Sequence, residues 1–241
     1  MNPIFNLLKK CTKVFYKKPK FLNLENLQEL PTIFVSNHAQ IHGPLVSELY
    51  MPYKNYTWIT GEALSIKEFK SYAYKDFWSN KPKPIRWFYK GFSYAISPFA
   101  VWLFKRARVI GVYKDFKIVK TYRETISKLE KGSSIVIFPE NREKCNLFIN
   151  EFQKNFVDIA RLYYKKAKKC ISFTPMYIAP TIKTVVFGKP ITFDNKDEYT
   201  LQKEKIINHL KDEITSIALN LPPHAITPYE NIARKFYKQS K

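Results

Sequence analysis

The sequence predicts an α/β fold: a single domain with a mostly parallel, mixed sheet flanked by helices, preceded by a basic amphipathic helix. Three observations carry that expectation. Apolar, β-favouring runs such as Ile33-Phe34-Val35 and Ile135-Val136-Ile137-Phe138 read as strands buried on both faces. Segments with apolar residues at helical spacing alternate with those runs, the order that builds strand–helix–strand crossovers. A chain of 241 residues, 45% apolar and 16% aromatic, suits one folded domain with its own core.

Residues 1–20 set Ile4, Leu7, Leu8, Cys11 and Phe15 at helical spacing among Lys9, Lys10, Lys13, Lys17, Lys18 and Lys20, which predicts a cationic helix lying in a lipid headgroup plane. A secretory signal is not expected, because the apolar core is short and no small-residue cleavage site follows. Phe21–Pro31 reads as a linker with a short helical turn. The α/β domain is expected over 32–221. It opens with the strand Thr32–Ser36 and a helix after Gly43-Pro44 that Pro52 stops. A strand over Tyr56–Thr60, a helix over Ser65–Phe77 and a proline-broken segment Ser79–Pro84 follow. In Ile85–Arg108 crowded aromatics are bracketed by Arg86, Lys90, Lys105, Arg106 and Arg108, with Pro98 expected to kink the run. Its charge-free stretch is shorter than the roughly 20 residues that span a bilayer, so it reads as interfacial or as a buried helix.

A strand over Arg108–Lys114 leads to a helix over Phe116–Lys131, with Val119, Tyr122, Ile126 and Leu129 inward and Gly132 at its end. Ser134–Phe138 is the next strand. Phe152–Lys168 reads as a helix with Phe156, Ile159, Ala160 and Tyr163 inward. Strands over Ile171–Ile178 and Thr184–Ile191 precede an amphipathic helix over Leu201–Leu221, which Pro222-Pro223 ends. Thr227-Pro228-Tyr229-Glu230 has the form of a capping box with proline at N1, predicting a short basic helix over 226–241.

Charge and cysteine content bound the setting. Lys and Arg number 41 against 20 Asp and Glu, formally +21, a field that attracts nucleic acid or an anionic lipid surface unless it only solvates lysine-rich faces. Cys11, Cys145 and Cys170 are odd in number and form no C-x-x-C, which fits a reducing cytoplasmic setting without a disulfide framework. Arginine is scarce beside lysine and no helix-turn-helix, RNP or zinc-finger signature is present, so nucleic acid is not an expected partner and nucleic-acid binding stands as a distant third reading. His38 and His42 have the i, i+4 spacing of a zinc pair, but no glutamate lies between them and no third ligand is evident, so no metal is expected. His209 and His224 read as incidental.

Two strand ends carry titratable residues. Asn37-His38 follows the first buried strand, and Phe138-Pro139-Glu140-Asn141-Arg142 closes a later one. Together they resemble the N-H-x4-D and F-P-E-G-[T/S]-R motifs of the 1-acylglycerol-3-phosphate (lysophospholipid) acyltransferase family of membrane-bound phospholipid-synthesis enzymes. The resemblance runs from about Thr32 to Phe193. It departs from the pattern at Gly43, where the family has aspartate, at Asn141, where it has glycine, and at Arg142, which comes one position earlier than the family's arginine. Thr174-Pro175-Met176 and Gly188-Lys189-Pro190 resemble the family's late Val-Pro-Val and Gly-x-Pro elements. At the strand end where the family has Asp-Arg, this chain has Tyr113-Lys114, keeping a charge without the bidentate fork of arginine.

The resemblance implies a glycerolipid acyltransferase-like domain that moves a fatty acyl group from acyl-CoA or acyl carrier protein to a lysophospholipid or glycerol-phosphate-type acceptor. It implies no cofactor beyond that co-substrate, and a peripheral place on the anionic, cytoplasmic face of the cell membrane. Acyl transfer to a hydroxyl needs a base that removes the proton as oxygen attacks the thioester, and histidine is matched to this at neutral pH. His38 is the candidate. Asn37 and Gln40 flank it and can bond the base or the substrate. The resemblance assigns Lys114 and Arg142 to the acceptor's phosphate and Glu140 to organising that pocket.

Without the family aspartate to orient the imidazole, a rate loss of several orders of magnitude is expected unless another group substitutes. Glu48, His42 and Glu140 are the three candidate partners of the base, and sequence does not choose among them. A non-catalytic, anionic-lipid-binding protein of the same fold is the alternative reading. Acyl chain length, donor, acceptor and oligomeric state carry no sequence signature.

Overall fold

The computed structural model describes residues 2–27, 30–78 and 82–240. Parts of the expected linker (28 and 29), of the proline-broken segment (79–81) and both chain ends (1 and 241) lie outside the described residues. In chain order the elements are α1 (Pro3–Phe15), β1 (Lys20–Leu22), β2 (Thr32–Ser36), α2 (His42–Leu49), β3 (Asn55–Thr60), α3 (Ile66–Ala73), α4 (Arg86–Arg106), β4 (Val109–Val112), α5 (Ile118–Glu130), β5 (Ser134–Ile137), β6 (Glu140–Lys144), β7 (Asn150–Phe152), α6 (Asp158–Ala167), β8 (Ser172–Ala179), β9 (Thr184–Phe187), β10 (Ile191–Thr192), α7 (Tyr199–Asn220), β11 (Ala225–Ile226) and β12 (Lys238–Gln239).

These form a single α/β domain around a mixed, mostly parallel sheet of order β1-β9-β8-β2-β5-β3-β4, with β10 also pairing β8. The neighbours β8, β2, β5, β3 and β4 run parallel, whereas β9 and β10 are antiparallel to β8. Residues of alternate parity serve opposite faces. Ile33, Val35, Ile135, Ile137, Phe173 and Tyr177 enter the larger core under α5, α6 and α7. Phe34, Val136, Met176, Ile178 and Phe187 enter the second, against Val46 of α2. Burial on both faces is why these strands read as unbroken apolar runs rather than alternating ones.

The helices follow their stripes with informative exceptions. Phe156, Ile159, Ala160 and Tyr163 are buried as expected, as are Ile206, Ile207, Leu210 and Ile214 of α7. In α5 the inward face is rotated: Thr121 and Thr125 are buried beside Ile126 and Leu129, and Val119 is exposed. The reason is polar satisfaction at the sheet. Thr121 Oγ1 donates to Gly111 O at 2.8 Å and accepts from Tyr113 N at 3.2 Å, while Trp58 Nε1 donates to Thr125 Oγ1 at 2.9 Å. α5 ends in a Schellman arrangement, with Ser133 N on Lys128 O, Gly132 N on Leu129 O and Gly132 at φ 72°.

Helix α4 is one-sided. Ser93, Ser97 and Val101 face inward, Phe104 packs beside Phe69, and five aromatics lie open, with Trp87 76%, Phe88 56%, Tyr94 52%, Phe99 51% and Phe92 42% exposed. The serine hydroxyls bond the carbonyls of Lys90 and Ser93, so they enter the interior satisfied. In α1 the apolar face is largely open, Phe15 being 89% exposed. Asn2 caps that helix by accepting from Ile4 N and Phe5 N, and Lys9 docks it on Glu48 at 2.6 Å. Among the described residues no helix is long and apolar enough to cross a membrane.

Three expectations are corrected. The linker 21–31 begins with β1, which finds a free edge beside β9. The strand over Thr184–Ile191 breaks after Phe187, and Gly188 sits where a Cβ would meet Pro175 at 2.8 Å and the Glu213 carboxylate at 2.9 Å. The basic helix expected over 226–241 does not form. β11 and β12 pair instead, Ser240 N bonds His224 O, and the loop between them is held on the body of the protein by Gln40. These tertiary bonds outweigh a local capping signal, as they do where propensity is only a weak prior.

Candidate functional site

Parallel neighbours deliver their C-terminal ends to one edge of a sheet, and the site lies there, above β2 and β5. After Ser36 the chain makes a tight turn in which Ala39 and Gln40 both adopt left-handed conformations, with φ 46° and 54°. Such geometry in non-glycine residues persists only where the surroundings hold it. The main hold is Glu140. Its Oε2 accepts from the main-chain N–H of His38 at 2.6 Å, and its Oε1 accepts from Asn150 N in β7 at 2.7 Å. Glu140 as a whole is only 4% exposed. Burial pushes its pKa up to about 7, with Glu230 adding to the rise and the two N–H bonds opposing it.

The His38 imidazole is half-buried, edge-on to Phe138 and to Tyr229 with ring centroids 5.5 Å apart in each case. Its Nδ1 is buried with no hydrogen-bond partner among the described residues. Burial pushes the ring's pKa down to about 4, against a smaller opposite pull from the backbone of Gln40. The ring is therefore neutral at pH 7, with the protonation state of a base but, among the described residues, without a carboxylate bonded to it to steady the imidazolium.

None of the three candidate partners fills that role as expected. Glu48 lies elsewhere, holding Lys9 at 2.6 Å and the backbone N–H of Arg108 at 3.0 Å. His42 Nδ1 faces the Tyr16 hydroxyl at 3.1 Å, with its pKa lowered by burial and by Arg234. Glu140 reaches His38, but at the main chain and not the ring. Nor can position 43 host a carboxylate. A Cβ there would lie 2.5 Å from His38 O and 2.7 Å from the Phe138 ring.

The flanking residues also have structural occupations. Asn37 is buried, donating to Ile178 O at 3.0 Å and accepting from Ile178 N at 2.8 Å, so its amide ties β2 to β8 instead of meeting a substrate. Gln40 donates to Glu230 O at 2.7 Å and accepts from Tyr237 OH at 3.0 Å. Arg142 is exposed on β6, and among the described residues no carboxylate pairs with it. Lys114 is exposed just beyond β4. It shares the sheet edge with His38, but β4 is three strands from β2, about 14 Å away at ordinary strand spacing. The structure thus joins His38, Glu140, Asn37 and Gln40 in one cluster and leaves Lys114 and Arg142 at its periphery.

Sequence reasoning missed Tyr229 and Glu230, which arrive from the C-terminal loop, and Asn150, whose N–H completes the Glu140 cradle. A proline-rich, aromatic segment after the last helix was the available signal for the first two, and it read equally well as a helix start.

No family model matches the chain, and no curated protein sequence matches it. Among solved structures it is similar to the crystal structure of the 1-acyl-sn-glycerophosphate (LPA) acyltransferase PlsC from Thermotoga maritima, at 12% identity and a TM-score of 0.46, over 89% of this chain and 78% of that one.

Proposed function

We propose that this chain is an acyltransferase of membrane surfaces, carrying a fatty acyl group from a thioester (acyl-CoA or acyl carrier protein) to the hydroxyl of a lysophospholipid or glycerol-phosphate-type acceptor, with His38 as general base. The observation that supports this best is the Glu140–His38 junction. It unites the two motifs that carry the sequence resemblance, Asn37-His38 and Phe138-Pro139-Glu140, through a 2.6 Å bond across neighbouring strands. A neutral ring is in the form required to accept a proton. Because Nδ1 is sealed, Nε2 is the nitrogen to take it as the acceptor oxygen attacks the thioester carbon. The carbon–sulfur bond then breaks, and the proton passes to the departing thiolate. Exposed Arg142 and Lys114 are the cations for an acceptor phosphate, and the outward aromatics of α4 and α1 are the surface that meets lipid.

The alternative is an anionic-lipid-binding protein of the same fold, favoured by the unpartnered Nδ1. Incubation of the purified protein with vesicles, labelled acyl donor and lysophosphatidic acid separates the two. Diacyl product is expected, with His38→Ala lowering the rate by about 10²–10⁴-fold. If wild type and His38→Ala are equally inert with CoA and carrier-protein donors across several acceptors, the lipid-binding reading stands instead.

A further inference from the structure

Taking His38 as the working group proposed above, we infer that the C-terminal strap 227–237 is a gate over it, latched by Gln40 and opened by an anionic lipid surface.

The strap has the build of an Ω-loop, a surface segment whose ends are brought close. Its root is the two-residue ladder of β11 and β12, reinforced by Ser240 N on His224 O and by the buried His224 ring against Tyr177 OH at 3.0 Å. Its far side rests on the site. Tyr229 stands edge-on over His38, and Gln40 Nε2 donates to the carbonyls of Glu230 at 2.7 Å and Ile232 at 3.4 Å. The hydroxyl of Tyr237 closes the latch on Gln40 Oε1 at 3.0 Å. One side chain therefore gathers both limbs of the strap. Tyr229 therefore lies against the ring that an acceptor hydroxyl has to reach.

Two features argue that this closed arrangement opens. Thr227 Oγ1, at the strap's root, is buried without a hydrogen-bond partner among the described residues, and so is His38 Nδ1. Buried polar atoms left in that condition are uncommon in settled structure. The exposed cations point to what opens it. Arg234 and Lys235 are exposed on the strap and Lys238 is exposed beside it in β12, and Phe236 is 63% exposed with Lys235 Nζ 5.1 Å from its ring centre. Clustered cations around an exposed aromatic are drawn to anionic headgroups.

The test is carbethoxylation of His38 by diethylpyrocarbonate in the 241-residue chain, read by peptide mass spectrometry with His209 as internal reference. This reads access to the ring and not turnover, so a working gate on an inactive protein is told apart from a failed gate. Phosphatidylglycerol vesicles are expected to speed His38 labelling about tenfold, the ratio between a strap open a tenth of the time and one open throughout. Phosphatidylcholine vesicles are expected to leave it unchanged. Gln40→Gly, which keeps the left-handed backbone without strain, is expected to give the fast rate with no lipid at all. Tyr237→Phe is expected to fall between the two. Equal labelling of His38 in wild type, Gln40→Gly and Tyr237→Phe overturns the gate. A phosphatidylglycerol effect that is absent, or matched by phosphatidylcholine, overturns the lipid trigger.

Discussion

At the scale of single residues, the decisive position is Gly43. The resemblance invites the thought that an aspartate there would restore a catalytic dyad, but the geometry argues otherwise. A Cβ would meet the His38 carbonyl at 2.5 Å, and that carbonyl belongs to a turn already held by Glu140 and by two left-handed residues. Gly43→Asp is therefore expected to destabilise by about 1–3 kcal/mol, as overpacking does, and to raise no acyl-transfer rate. Denaturant unfolding and the acyl-transfer assay check both halves, and a stable, more active variant would refute the argument. The placing of His38 and Glu140 side by side at neighbouring strand ends was legible in the sequence because each follows an apolar strand, and strand ends are where α/β sheets expose polar groups. The occupations of Asn37, Gln40 and Glu48 were not legible. Their partners, Ile178, Glu230 and Lys9, come from distant segments whose arrival depends on topology.

Among elements, α4 is the instructive one. Sequence left two readings of it open because nearly every position is apolar, so periodicity marks no inward side. Packing decides through the small residues: Ser93 and Ser97 allow close approach and satisfy themselves on their own helix, leaving Trp87, Phe88, Phe92 and Phe99 to solvent. Exposed aromatics on this scale are what the proposed lipid contact requires. Trp87→Ser combined with Phe88→Ser is expected to reduce flotation with phosphatidylglycerol vesicles while changing unfolding stability by only about 0.5 kcal/mol, as surface replacements do. Undiminished flotation with a large loss of stability would mean that these rings serve packing. The inward stripes of α6 and α7 read correctly, although α6 begins at Asp158 and not at Phe152, which belongs to β7. The C-terminal strap did not, since the same Thr-Pro-Tyr-Glu letters serve a helix start and an irregular loop.

For the whole molecule, two buried groups set opposing pH dependences. Glu140 keeps a proton up to about pH 7 in the fold, so between its ordinary value near 4.5 and 7 the folded state binds the extra proton, and stability is lost as pH rises through that window. His38 releases its proton near pH 4 in the fold but near 6.5 when unfolded, so stability is gained as pH rises between those values. In the wild type the two slopes offset each other from about 4.5 to 6.5. Thermal unfolding measured across pH is expected to show His38→Ala losing stability relative to wild type as pH rises from 4.5 to 6.5, and Glu140→Gln gaining it over the same range. Curves parallel to wild type in both variants would contradict the burial of these groups. The parallel sheet, the core and the strand ends that carry the site were readable from sequence, because they depend on local apolar patterning. What covers the site was not, because it depends on where the chain returns after its last helix.

The double tether of Glu140 reaches beyond the histidine it touches. One oxygen grips the turn leaving β2 and the other grips Asn150 on the hairpin of β6 and β7, whose tip is pinned by the bonds from Cys145 N and Asn146 N to Ile149 O. An engineer who lengthens that tip, or grafts a foreign loop across 145–149, is also shifting the footing of the imidazole, though the two lie more than a hundred positions apart along the chain.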